Sequence, residues 1–212
     1  MALNKDKRSY SQYYFSLLER KQLILFSFYP NNDYNSRIIK SFLFFFFYAS
    51  HFTINALFFN DNTMHKIYID SGSFNLNYQL PQIIYSSLIS TLINTFIKFL
   101  SLSENLIISI KADKNTNNYN EKVNQMKIKF SFFFIITFIL LFIFWFYVSC
   151  FCCIYQNTQI HLIKDSLISF ALSLIYPFFI NLIPGIFRIS ALNDEKGEKQ
   201  YICKLSQILE YM

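Results

Sequence analysis

The sequence predicts an all-α fold, a multi-pass membrane helical bundle of four transmembrane helices preceded by an interfacial helix. Three observations predict it. Phe132 to Ile154 carries no charged residue and no polar face, and about 20 apolar residues at 1.5 Å rise cross a hydrocarbon core of ~30 Å. Three more apolar runs lie at about 38–59, 81–102 and 166–187, with the uncharged stretch inside a span at about 130–155. The 212-residue chain has 3 Gly and 4 Pro, too few to turn the many short strands of an all-β fold.

Composition agrees. Hydrophobic residues make up 53% and charged residues 15%, where a soluble domain carries about 25% charged. The 27 Phe, with abundant Ile, Asn, Lys and Tyr, fit the codon bias of an AT-rich genome, so a single extra Phe or Asn has no functional meaning. The net charge of +6 sits in segments that flank the apolar runs, as the positive-inside tendency places it. It forms no continuous stripe and accompanies no nucleic-acid motif, so nucleic acid is not an expected partner. The N-terminus is polar through Gln12, and its first apolar stretch, Leu23 to Phe28, ends at Tyr29-Pro30 without a small-residue cleavage site. The first full span is therefore expected to serve as the signal anchor.

Residues 1–37 read as a basic cytoplasmic segment in which Lys5, Lys7, Arg8, Arg20, Lys21 and Arg37 outweigh Asp6, Glu19 and Asp33. Within it, Ser11 to Phe28 reads as a helix too short to span, lying along the inner leaflet; the alternative is packing under the bundle. Residues 38–190 form the membrane domain. Span one carries Lys40 near its inner end, placed to snorkel. His51 and Asn55, four apart, share a face that Tyr48 extends. An outer loop follows, with a helical turn around Met64 to Ile69 and a turn signal at Asp70-Ser71-Gly72-Ser73.

Span two opens with Pro81, which suits a first turn because its missing N–H costs nothing there. Ser87, Ser90, Thr91, Asn94, Lys98 and Ser101 fall within about a third of its circumference. Leu88, Leu92, Phe96 and Phe99 lie opposite, so the polar stripe should face protein or water. Ser103 to Lys129 reads as a polar, Asn-rich, basic segment expected in the cytoplasm, with a flexible loop at Asp113 to Lys122. Span three is apolar all round. A short connection, Gln156 to Asp165, makes spans three and four antiparallel neighbours. In span four, Pro177 and Pro184 predict kinks. Ser166, Ser169, Ser173 and Tyr176 share a face that lets another helix approach. Residues 191–212 form a cytoplasmic tail whose Ile202, Leu205, Ile208 and Leu209 suit a short amphipathic helix.

Lys and Arg set the orientation. Seven lie in the segment through Lys40, five in the middle loop and four from Arg188 onward, against Lys66 and Lys164 alone in the outer loops. Four spans put all three rich segments on one side, so both termini are expected in the cytoplasm.

The candidate site is a polar face in the membrane interior: His51, Asn55, Ser87, Thr91, Asn94 and Lys98. An ionisable side chain in a span is costly and points to function by default. The competing reading is interhelical packing, with these groups satisfying one another. His51 and Ser87 are the pair to check for an intramembrane base and nucleophile. Cys150, Cys152 and Cys153 read as small buried packing groups, and no second ligand pair supports a metal. His65, His161, Asp70 and Asp165 read as outer-loop residues in solvent. No catalytic, cofactor-binding or metal-binding residue is expected.

Three phrases carry a resemblance: NDYNSRIIK before and into span one, ALFFNDNTMHKIY at its end, and YQNTQIHLIKDSLISFALSLIYPFFINLIPGIFR through span four. Together they resemble the four-span C-terminal membrane module of large uncharacterised surface proteins of single-celled eukaryotes, over about Tyr13 to Leu192. No activity is attached to that family, so no catalytic residue carries over. The resemblance implies that the chain is a truncated product, a fragment or a free-standing copy of the module. The expected function is a non-catalytic membrane anchor or assembly module whose partners are the lipid bilayer and other membrane helices or a larger membrane complex. The alternative is a subunit of an ion channel or small-solute transporter.

Overall fold

The structure, a computed structural model, describes residues 8–30, 33–59, 61–70, 76–112 and 119–192. The expected tail helix, Cys203 and the Ser71-Gly72-Ser73 turn lie outside these. Among the described residues the chain is helical, with no strand. The helices are α1 (Tyr10–Lys21), α2 (Leu23–Phe28), α3 (Arg37–Leu57), α4 (Asp61–Ile69), α5 (Leu76–Ser101), α6 (Glu104–Ala112), α7 (Tyr119–Ile154), α8 (Gln159–Ile180) and α9 (Leu182–Leu192), with a 3-10 turn at Gln156–Thr158. Among the described residues four stretches are long and apolar enough to cross a membrane: Arg37–Leu57, Gln79–Ala112, Tyr119–Ile154 and Gln156–Ile189. The chain divides into two compact units, Asn32–Ala171 and a second made of Met1–Asn31 with Leu172–Met212.

In the larger unit α3 is the central element. It buries Leu43, Phe46, Phe47, Ser50, His51, Thr53, Ile54, Asn55 and Ala56, and it packs against α5 and α7. Its hydroxyls turn back onto their own helix, Ser50 Oγ onto the Phe47 carbonyl at 2.9 Å and Thr53 Oγ1 onto that of Ala49 at 2.9 Å, which satisfies them without water. Lys40 does not snorkel. It is 2% exposed and its Nζ meets Asp33 Oδ1 at 2.6 Å; an ion pair at the helix end replaces the expected reach to water. Ala56, Phe59, Met64, Ile67, Phe151 and Leu162 form a cluster where α3, α4, α7 and α8 meet. Tyr155 Oη closes that end by donating to Asp61 Oδ1 at 2.8 Å.

α7 behaves as its uniform composition requires. Only Phe133, Thr137, Phe144 and Phe151 are buried. Phe138, Phe142 and Phe146 turn outward, and Trp145 is 80% exposed, the surface a helix offers to lipid. Cys150 and Cys153 are also exposed, which corrects the expectation that they pack inside; they share the thinly covered outer side of this helix.

Three boundaries differ from expectation. α7 begins at Tyr119 and α6 occupies Glu104–Ala112, so most of the described part of the middle loop is helical. Good helix formers between Glu121 and Lys129, with Glu121 in the first turn, account for this. α5 begins at Leu76 rather than Pro81. Pro81 therefore sits in the second turn and removes one donor to the Asn77 carbonyl, while the added turn brings Gln79 into contact with α8. Span four breaks at Asn181, between α8 and α9. Pro184 then falls in the first turn of α9, where no donor is needed, and α8 runs on through Pro177.

The smaller unit is held by aromatic hydroxyls. Ser9 caps α1 with a reciprocal capping box to Gln12. Gln22 separates α1 from α2 and caps α2, its Oε1 accepting from Leu25 N at 2.7 Å. One helix over Ser11–Phe28 is thus resolved into two. The break at Asn181 leaves the last carbonyls of α8 without intrahelical donors. Tyr14 Oη donates to the Phe178 carbonyl at 2.9 Å and Tyr10 Oη to that of Leu182 at 3.4 Å. Gly185 permits this approach, since a Cβ there would lie 2.5 Å from the Tyr10 ring. Arg188 donates through both terminal nitrogens to the Arg8 carbonyl at 3.2 Å and stands 4.6 Å over the Tyr13 ring.

Candidate functional site: a polar ladder between three helices

The polar residues of the larger unit converge on one seam between α3, α5 and α8. On α5 the buried positions are Gln79, Ile83, Ser86, Ser90, Asn94, Ile97 and Ser101, spaced by threes and fours on one face. Leu88, Leu92, Phe96 and Phe99 are exposed opposite them. The sequence stripe is thus present but rotated. Ser90, Asn94 and Ser101 lie at its centre, while Ser87, Thr91 and Lys98 sit half-buried at its edge.

His51 forms the first rung. Its Nδ1 lies 3.3 Å from Ser90 Oγ and its Nε2 lies 2.9 Å from Ser169 Oγ. Ser90 Oγ is also 2.6 Å from the Ser86 carbonyl. A hydroxyl has one proton, and the carbonyl takes it, so Ser90 accepts from His51. This assigns the proton of a neutral imidazole to Nδ1 and makes Nε2 the acceptor for Ser169. Ser90, not Ser87, is the α5 partner of His51. Phe170 walls the ring, its centroid 5.6 Å from that of His51 and 5.1 Å from that of Tyr48 in an edge-on contact.

One turn along α3, Asn55 uses both ends of its amide. Its Nδ2 donates to Ser166 Oγ at 3.0 Å and its Oδ1 accepts from Gln82 Nε2 at 3.0 Å. The outermost rung joins α5 to α8, Gln79 Nε2 donating to Asp165 Oδ2 at 2.7 Å. Asp165 is buried, which corrects its placement in a solvated loop. α8 begins at Gln159 and carries Asp165 inside its second turn. A helix start at Pro81 leaves Gln79 outside span two; Gln82 and Ser86 lie inside it but off the stripe that runs from Ser87 to Ser101. Sequence reasoning saw Ser166 and Ser169 as a smooth face and not as partners of Asn55 and His51.

The Ser169–His51 spacing is that of a nucleophile and its base. Both side chains are buried, Ser169 1% and His51 0% exposed. Among the described residues no group of three or more His, Cys, Asp and Glu could hold a metal. Toward the other end of the seam Asn94 Oδ1 is buried with no hydrogen-bond partner among the described residues.

No protein-family model, curated protein or solved structure matches the chain. The fold defines a class: among the described residues, an all-α protein with four helices suited to cross a membrane.

Proposed function

We propose that the protein is a non-catalytic membrane anchor or assembly module, a copy of the four-span module that its phrases resemble, with both termini in the cytoplasm. The observation that carries the reading is the polar ladder, in which Gln79 Oε1 is the one buried side-chain atom without a hydrogen-bond partner among the described residues. His51, Asn55, Gln79 and Gln82 bond to Ser90, Ser166, Ser169, Asp165 and one another. Polar groups in a span that satisfy each other hold helices together. The outward apolar faces of α5 and α7 then serve contacts with lipid and with other membrane helices. The Lys and Arg distribution supports the orientation.

One observation favours the rival reading, a channel or transporter subunit: the unpartnered Asn94 Oδ1, one turn from Lys98 on α5. Reconstitution separates the two. Vesicles holding the purified protein are expected to pass ions and small solutes no faster than empty vesicles, and the protein is expected to purify as an oligomer or with a membrane partner. A flux that Asn94→Leu with Lys98→Leu abolishes would install the rival reading. A monomer that captures no partner would remove the anchor reading.

A further inference from the structure

We propose that the end of the larger unit where α3 begins and α5 stops is a docking surface for anionic phospholipid headgroups. The inference rests on the membrane reading above and adds the lipid class. Three contacts hold that end together. Ser103 N donates to Asn35 Oδ1 at 3.2 Å, Lys129 Nζ donates to the Leu102 carbonyl at 2.6 Å, and the Lys111 ammonium stands 3.8 Å over the Tyr34 ring. They gather Lys111 and Lys129 around the break between α5 and α6. Arg37 opens α3 two residues from Asn35, and Lys127 lies about 3 Å along α7 from Lys129, at the same level but on the opposite side of the helix.

The charge there is not cancelled. Lys111 rests on a ring, and Lys129 on a carbonyl and the Phe99 ring; neither kind of partner is an anion. Arg37, Lys111 and Lys127 are exposed. The nearby carboxylate of Asp33 is already engaged by Lys40 and Asn35. Among the described residues of these segments the further carboxylates are Glu104 and Glu121, fewer than the cations. Beside them α6 carries Ile108, which is exposed, and Leu106, Ile107 and Ile110, which are half-buried. Apolar side chains left uncovered next to cations are what an interfacial helix presents to a bilayer. Length agrees. The 26 residues of α5 extend about 39 Å at 1.5 Å each, beyond a ~30 Å core, so α6 follows at headgroup level. A purely polyanionic partner would answer the charge but would offer nothing apolar to Ile108 and the half-covered isoleucines beside it.

The test uses the full chain purified in detergent and offered equal amounts of phosphatidylserine and phosphatidylcholine, with retained lipid read by native mass spectrometry. Phosphatidylserine is expected to be retained roughly fivefold or more over phosphatidylcholine, with the preference falling as salt rises. Arg37→Gln, Lys111→Gln and Lys127→Gln together should bring the ratio to near parity with the unfolding midpoint unchanged. Lys129 is left in place because it also ties α7 to the Leu102 carbonyl. Equal retention, or a preference that neither salt nor the triple variant reduces, would overturn the proposal. So would full displacement of phosphatidylserine by inorganic phosphate, which marks a site for the free anion. A chain that stays dispersed without detergent and takes up neither lipid would overturn the membrane reading itself.

Discussion

Truncating His51 to alanine is expected to lower the unfolding free energy of the protein in mixed micelles by about 3 kcal/mol. The ring is fully buried, so its removal leaves a void that the surrounding helices fill only in part. The Ser169 hydroxyl also loses the acceptor that the Nδ1–H tautomer provides at 2.9 Å. Ser90 keeps its bond to the Ser86 carbonyl, which limits the damage on α5. The contrast is Ser87→Ala, at the half-buried edge of the stripe; it should change stability by no more than about 0.5 kcal/mol. Equal effects from the two substitutions, measured by equilibrium unfolding, would mean that the seam is not where the helices are held.

Gln79→Leu is expected to cost about 2–3 kcal/mol, because it removes the donor that satisfies a buried carboxyl group. Gln79 is the side chain bonded to Asp165, at 2.7 Å, and both are buried. Removing both polar partners should hurt less than removing one, since an apolar pair strands nothing. The double variant Gln79→Leu with Asp165→Leu should therefore be more stable than Gln79→Leu alone. Asp165→Asn should be close to neutral, as its amide oxygen still accepts from Gln79. A double variant weaker than the single one, measured in the same unfolding assay, would contradict this account of the outer rung.

The parts of the fold legible in the sequence were those with a physical length or period attached. A bilayer demands about 20 apolar residues per helix, so Phe132 to Ile154 announced itself, and three weaker runs followed. Helical period placed Ser90, Asn94 and Ser101 on one face and Leu92 and Phe99 on the other. What failed did so for local reasons. Pro81 looks like a helix start, yet α5 begins five residues earlier, and that hid Gln79. Asp165 follows Lys164 after a polar stretch and so looks like loop, although α8 has already begun. Glu104 to Ala112 reads as part of a polar, basic segment, and it is a helix. The pairing of His51 with Ser169 joins residues 118 apart in the chain, and no periodicity records which face meets which. Only the packing of α3 between its neighbours does.

The measurement that bears most directly on the ladder is a double-mutant cycle between His51→Ala and Ser169→Ala in the intact chain. If the seam holds α3 to α8 through this bond, the two substitutions should couple by about 1 kcal/mol, within the range found for hydrogen bonds between membrane helices. Strictly additive effects, with coupling below about 0.3 kcal/mol, would show that the two side chains do not meet. The polar ladder would then not be what holds this bundle together.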